Sequence, residues 1–363
     1  CLALDHFELY APKVIESFKA LANTGMVEFL AETYAHSLAS LKNKSEFIFQ
    51  IEKHRQRIES LFGVKPTIFR NTELIYSNDI GLTVSEMGFK GMLTEGAKHI
   101  LGWKSPNFLY CNCLNPKLKL LLRNYKLSDD IAFRFSNHAW DNYPLTPEKF
   151  TNWLSQIHPK EELVNLFMDY ETFGEHQWAD TGIFDFIEKL PQAILENTSF
   201  KIDTPSSLIN KLQPMAVAQV PYPISWADAE RDITAWLGND MQKEAFEKLY
   251  ELTPYLNNIT DEQLLQDWNY LQTSDHFYYM STKWFSDGEV HAYFNPYKDP
   301  YEAFINYMNV LSDFSQRVKG SNNLNVKDIE IEKLQGKIKI QEAEIKMLKD
   351  RLNKRKRILK NTT

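Results

Sequence analysis

The chain has 363 residues, 43% hydrophobic and 13% aromatic, which exceeds one ordinary domain and excludes a disordered polypeptide. With 41 Lys and Arg against 48 Asp and Glu, the net charge of −7 argues against nucleic-acid binding by the globular part. Three cysteines, Cys1, Cys111 and Cys113, supply neither a disulfide framework nor a paired zinc-ligand pattern, which favours a reducing, cytoplasmic compartment, and no apolar run is long enough to span a membrane.

Taken in order, residues 9–22 read as a helix with Leu9, Val14, Ile15, Phe18 and Leu21 on one stripe. A strand is expected over Met26 to Ala31, followed by His36 in a loop. Residues 46–62 form a charged amphipathic helix. Pro66 to Arg70 is a strand running into Asn71, Thr72 and Glu73, which either line the mouth of a site or serve as turn chemistry. A helix over 79–87 leads to Gly88-Phe-Lys-Gly-Met-Leu-Thr94-Glu95-Gly96, a short strand ending in a lone glutamate. Leu118 to Arg123 and Ile131 to Phe135 read as further strands, with Arg123, Arg134, Asp129 and Asp130 around them. An arginine beside paired acids would hold one of them ionised; an ordinary ion pair is the other reading. Thr146-Pro147 opens a helix over 147–157.

Val164 to Met168 is nearly all apolar and ends in Asp169-Tyr-Glu171-Thr-Phe-Gly174-Glu-His176-Gln-Trp178. The run reads as a strand buried on both faces, and alternation would put Asp169 and Glu171 on one side. Capping of a following helix is the alternative role for these acids. A helix is expected over 182–194. This alternation predicts a parallel sheet covered by helices. Beyond a proline-marked segment, Pro214 to Pro223, helices are expected over 227–236, 239–252, 261–271, 275–284 and 299–318. After a polar linker from Ser321, the positions Ile331, Leu334, Ile338, Gln341, Ile345, Leu348, Leu352, Arg355 and Leu359 recur at three and four. That is a heptad seam, readable as a coiled coil with another chain or as one solvated helix.

Two strand-end acids from separate units suggest a paired-carboxylate site, which glycoside hydrolysis requires. The motifs that carry them resemble signature regions of glycoside hydrolase family 57: Gly91-Met-Leu-Thr-Glu-Gly and Met168-Asp-Tyr-Glu-Thr-Phe-Gly. Gly25-Met-Val-Glu-Phe-Leu-Ala-Glu-Thr-Tyr-Ala-His36-Ser-Leu resembles a further region, and Leu271-Gln-Thr-Ser-Asp275-His-Phe-Tyr another. Four motifs in order, running to about Lys319, point to the bacterial α-amylase-like members. Two features depart from that pattern: the family's His-Gln-Pro strand is absent, so the first strands are expected to be missing, and His276 stands where many members carry tryptophan.

The resemblance implies a distorted (β/α)7-type barrel over residues 1–204, incomplete at its N-terminus. A helical domain over 205–320 would contribute to the active-site mouth, and 321–363 would be a linker with a coiled-coil-like helix. It implies a retaining α-glucan-acting hydrolase with Glu95 as nucleophile and Asp169 as general acid, their environments pushing the two pKa values apart. His36, Glu171, His176, Trp178, Asp275 and His276 would contact substrate, although Asp275 could be only a helix cap. No metal or other cofactor is implied. The partner is an α-glucan, not nucleic acid or membrane, with a homo-oligomer through the C-terminal helix. A 4-α-glucanotransferase on the same scaffold is the alternative. From other classes, a metal-dependent polysaccharide deacetylase would need a closely spaced His pair, whereas the nine histidines are scattered singly. A non-catalytic glucan-binding protein would be expected to have replaced Glu95 or Asp169.

Overall fold

The computed structural model describes residues 1–256, 259–283 and 295–321, with single helical positions between 334 and 349. Most of the heptad seam, and its basic end, lie outside the described residues. Two helices, α1 (Leu2–Tyr10) and α2 (Pro12–Asn23), stand where periodicity gives one over 9–22. The break falls at Ala11 (φ −143°, ψ 56°), because Pro12 lacks an N–H and drives the preceding residue out of the α region. The strand expected over 26–31 is reduced to one parallel bridge between Ala31 and Phe69. Helix α3 (Lys44–Phe62) starts at Asn43, whose side chain accepts the Glu46 N–H, and stops at Gly63 with φ 69°.

The core of the molecule is a five-stranded sheet. Its elements are β1 (Ile68–Arg70), α4 (Asn78–Glu86), β2 (Gly91–Glu95), the short α5 (Lys98–Leu101), β3 (Tyr110–Asn112) and β4 (Lys119–Arg123). Then come α6 (Tyr125–Ala132), α7 (Pro147–Ser155), α8 (Ile183–Asn197), α9 (Pro205–Lys211) and β5 (Ala216–Ala218). The strand order is β1-β2-β4-β3-β5. The sheet is mixed rather than all-parallel, since β3 runs antiparallel to β4. The strand expected over 131–135 is corrected to the end of α6, which stops at Ala132, and the turn after it; α6 begins where the Asn124 side chain accepts the Leu127 N–H.

Alternation divides the strands between two buried faces. Phe69, Met92, Leu120 and Leu122 enter the main core, while Ile68, Leu93 and Leu121 pack with Leu109, Leu163 and Ile209 on the other side. Burial on both faces is why these strands read as unbroken apolar runs. A third cluster joins α6, α7 and α8 through Ile131, Phe150, Leu154 and Phe186.

Residues 164–168 are extended but form no ladder. Single bonds tether them instead: the Asn124 N–H donates to the Asn165 carbonyl at 2.9 Å, Asn165 Nδ2 to the Leu122 carbonyl at 2.9 Å, and Phe167 N–H to Ser128 Oγ at 3.2 Å. The polypeptide then turns at once into a 3-10 turn, Tyr170–Thr172. Strand alternation therefore does not relate Asp169 to Glu171.

The remaining helices are α10 (Thr234–Leu237), α11 (Asp240–Tyr250), α12 (Glu262–Leu271), α13 (Ser274–Tyr278) and α14 (Pro300–Ser321). The helix expected over 227–236 is only the four residues of α10; 225–231 is an irregular strap, and α13 is shorter than the 275–284 expected. Phe246, Phe277, Tyr307 and Phe314 from these helices share the main core with the sheet. Among the described residues no helix is long and apolar enough to cross a membrane.

Candidate active site

Glu95 closes β2 and is register partner to Arg123 at the end of β4. Partners in a parallel ladder project to the same face, so the two meet there. Arg123 Nη1 lies 3.2 Å from Glu95 Oε2, with both side chains almost fully buried. The Gly96 N–H donates to Glu95 Oε1 at 2.7 Å. Only glycine fits at 96, since a Cβ there would lie 2.3 Å from the Arg123 carbonyl oxygen.

Arg123 is itself fixed: Nε donates to the Phe167 carbonyl at 2.7 Å and Nη2 to Asp129 Oδ1 at 2.6 Å. A second guanidinium, Arg231, stands 3.8 Å from Glu95 Oε2 and donates to Asp129 Oδ2 at 3.1 Å.

Asp169 ends the extended segment just after Phe167. Its Oδ1 is 3.6 Å from Arg70 Nη2, and Arg70 Nη1 donates to Glu32 Oε1 at 3.4 Å. Trp226 connects the two halves of the site. The Arg70 guanidinium lies 4.9 Å from its ring centroid and that of Arg123 5.6 Å. Its indole N–H donates to Glu73 Oε2 at 2.8 Å.

His36 sits between two acids, with Nδ1 on Glu32 and Nε2 3.1 Å from Glu73 Oε1. Ser274 Oγ donates to the same Glu73 oxygen at 3.2 Å. Burial disfavours the imidazolium, but Glu32 and Glu73 overcome it and hold His36 well above its usual pKa. Each ring nitrogen thus faces a carboxylate, a setting that favours the imidazolium. Its backbone is left-handed (φ 51°), as are those of Glu73 (57°) and Arg231 (54°). Non-glycine residues rarely adopt this region, and such strain concentrates at functional sites.

The surroundings of both carboxyls raise them. Burial pushes Glu95 up, with Arg123, Arg231 and the Gly96 N–H pulling back. Burial also pushes Asp169 up, to about 6, against Arg70 and with help from Glu73 and Glu171. The difference between them is in their partners: two guanidiniums flank Glu95 and keep its carboxylate form accessible, while Asp169 has one, more distant.

The other candidates divide. Asp275 lies at the mouth in the first turn of α13, whose N-cap is Thr273. Burial and Glu73 raise its carboxyl, against His36. Glu171, on the 3-10 turn beside Asp169, is exposed. His276 Nε2 donates to the Tyr270 carbonyl at 3.0 Å and its ring packs on Tyr307, so it is anchored in the helical layer. His176 stacks on Phe133 and Trp178 is largely exposed. Arg134 pairs with Asp130, away from Glu95. Sequence reasoning passed over Glu32, Trp226 and Arg231. Glu32 lies four residues before His36, but neither is on a helix, so that spacing carried no geometric signal. Arg231 falls in the stretch 227–236 that reads as helix, and Trp226 just before it, past the proline-marked segment.

A family model described as "Glycosyl hydrolase family 57" matches residues 2–221. A Methanocaldococcus jannaschii protein provisionally named an alpha-amylase is 45% identical over 317 residues, 84% of this chain and 67% of its own length. Among solved structures, the fold is similar to a branching enzyme of Thermococcus kodakaraensis (TM-score 0.62, 14% identity, 90% of this chain and 73% of that one). It is also similar to the 4-alpha-glucanotransferase of Thermococcus litoralis (0.56, 15%, 76% and 48%). A third similar structure is an alpha-amylase of Thermotoga maritima (0.54, 14%, 88% and 75%).

Proposed function

The chain belongs to glycosyl hydrolase family 57 and is a glycoside hydrolase, and we propose that it cleaves α-1,4-glucosidic bonds by double displacement, as an α-amylase-type enzyme. The observation that carries this reading is the unequal setting of two carboxyls in one site: Glu95 clasped by Arg123 and Arg231, and Asp169 with its pKa raised to about 6. Glu95 is the nucleophile. Its carboxylate attacks the anomeric carbon as Asp169 gives its proton to the departing glycosidic oxygen, leaving a glycosyl ester on Glu95. Asp169, now a carboxylate, takes a proton from water, whose oxygen attacks the same carbon and frees Glu95 with the α configuration restored. A retaining pair stands about 5–5.5 Å apart. Under this reading His36, Glu171, His176, Trp178, Asp275 and His276 are the residues that contact the glucan.

The same reading takes β1 to β4 as part of a distorted (β/α)7-type barrel over 1–204, with 205–320 as a mostly helical domain over its mouth that lends β5 to the sheet, and 321–363 as linker and tail. It places the protein in the cytoplasm, supported by three unpaired cysteines.

Azide separates the roles. Asp169→Asn removes the proton donor but keeps the nucleophile, so an α-glucosyl fluoride, whose leaving group needs no protonation, should still form the ester. Azide, which needs no general base, should then restore turnover as the α-azide. Glu95→Gln should show no rescue. Proton transfer contributes ~10²–10⁴-fold, so the defect and its recovery should be large. Equal rescue of both variants, or a β-configured product from the wild type, defeats the assignment. With maltooligosaccharides alone, free reducing ends mark hydrolysis, and redistribution of length without new ends marks a 4-α-glucanotransferase.

A further inference from the structure

Glu95 is held by more than its register partner. Arg123 and Arg231 both approach Oε2, and both donate to one carboxylate, Asp129, through separate oxygens. Arg123 comes from the sheet. Arg231 comes from the strap 225–231, which lies beyond residue 221, where the family match ends. The strap is fastened on several sides. Tyr76 and Ile224 exchange backbone hydrogen bonds at 3.1 and 2.9 Å, and Ser225 N–H donates to the Arg231 carbonyl at 3.1 Å. The Arg231 guanidinium donates to the Trp226 carbonyl and lies 5.0 Å from the Tyr125 ring centroid. Lys283 pairs with Asp228 and Glu230 on the strap.

We propose that Asp129 and Arg231 are positioning residues for the nucleophile: Asp129 locks both guanidiniums on one oxygen of Glu95, and the strap supplies the second guanidinium. This rests on Glu95 being the nucleophile. The four groups form a closed square of two cations and two anions, neutral when Glu95 is ionised. Forming the glycosyl ester removes one negative charge and leaves the square net positive. The square thus supports the carboxylate before attack and favours its return when the ester is hydrolysed. Asp129 keeps the pair of arginines from binding the nucleophile too tightly to react. An accidental surface ion pair would be expected to have none of this closure, and here Arg123 is 3% and Asp129 13% exposed.

The geometry predicts opposite effects from its two members. Arg231→Gln removes a cation and should raise the acid limb of kcat/KM by about one pH unit, since a neighbouring charge shifts a carboxyl by roughly one to three units. Asp129→Asn removes an anion from the same cluster and should lower that limb. Arg231→Lys keeps the charge without the fork, so the limb should return near the wild-type position while kcat stays depressed. The measurement is aryl α-maltooligoside cleavage by the whole protein across pH. Limbs that do not move, or that move the same way in Arg231→Gln and Asp129→Asn, overturn the proposal. If Arg231→Gln does not fold, the direction of the near-isosteric Asp129→Asn limb decides alone. A 5-fluoroglucosyl fluoride trap followed by peptide mass spectrometry separates the two failures. A label off Glu95 removes the nucleophile assignment, whereas a label on Glu95 with unmoved limbs removes only the role of Asp129 and Arg231.

Discussion

At the scale of single residues, the site is an electrostatic arrangement with a stated pH behaviour. Asp169 is raised from an ordinary carboxyl value of 3.8 to about 6, chiefly by burial. Its protonated form is the proton donor, so kcat/KM on natural α-glucans should fall as pH rises through about 6. The sign for stability runs the same way. Between about pH 4 and 6 the folded protein holds a proton that the unfolded chain has lost, so stability falls as pH rises across that window. Asp169→Asn has no such proton and should flatten both dependences. Melting temperatures of the two proteins from pH 4 to 7 test the second statement; parallel curves would remove it. The sequence made Glu95, Asp169 and His36 visible because each lies in a short motif. It could not show that Glu32 and Glu73 together flank His36 and raise its pKa, because those contacts are made between loops whose path depends on the whole fold.

At the scale of elements, legibility followed burial and capping. Strands β1, β2 and β4 were readable because both faces are apolar, α3 from its amphipathic pattern, and α7 because Thr146 caps it. Strands β3 and β5, Tyr-Cys-Asn and Ala-Val-Ala, lack the large aliphatic and aromatic runs that mark the others. The extended segment 164–168 was legible as apolar but not as unpaired. Helix α13 shows how tertiary packing substitutes for local preference. Five residues cannot hold a helix alone in water, yet α13 carries Ser274 to Glu73 and brings Asp275 to the mouth. Phe277 anchors it, fully buried between Phe246 and Tyr307 at centroid distances of 5.5 and 5.6 Å. Phe277→Ala should cost about 3–5 kcal/mol, read as a lower urea midpoint with the slope unchanged. Because the helix would lose its seat, KM for α-glucan should rise as well. A midpoint shift under 1 kcal/mol would show that α13 is held by something other than Phe277.

At the scale of the whole molecule, sheet and helices are joined by polar ties as well as by a common core. Gln50 Nε2 donates to Gln272 Oε1 at 2.9 Å, Trp268 Nε1 to Glu46 Oε1 at 3.2 Å, and the Ser274 N–H to the His36 carbonyl at 2.9 Å. The last of these ties a site residue of the sheet half directly to a helix of the other. Of the seam positions, Leu334, Ile338, Gln341 and Ile345 are among the described residues; all four are helical and exposed, the three apolar ones by about half. Apolar side chains repeating at three and four on an exposed helix are the pattern that a second helix covers. The seam from Ile331 to Leu359 should therefore hold two or more copies together, with Gln341 and Arg355 limiting its strength. Removing residues 327–359 should convert an oligomer to a monomer in sedimentation equilibrium. It should leave aryl α-maltooligoside turnover per site unchanged, because every residue assigned to the site lies before residue 284. Equal monomer masses with and without the tail would show that the seam is a solvated helix and that the repeat has no partner.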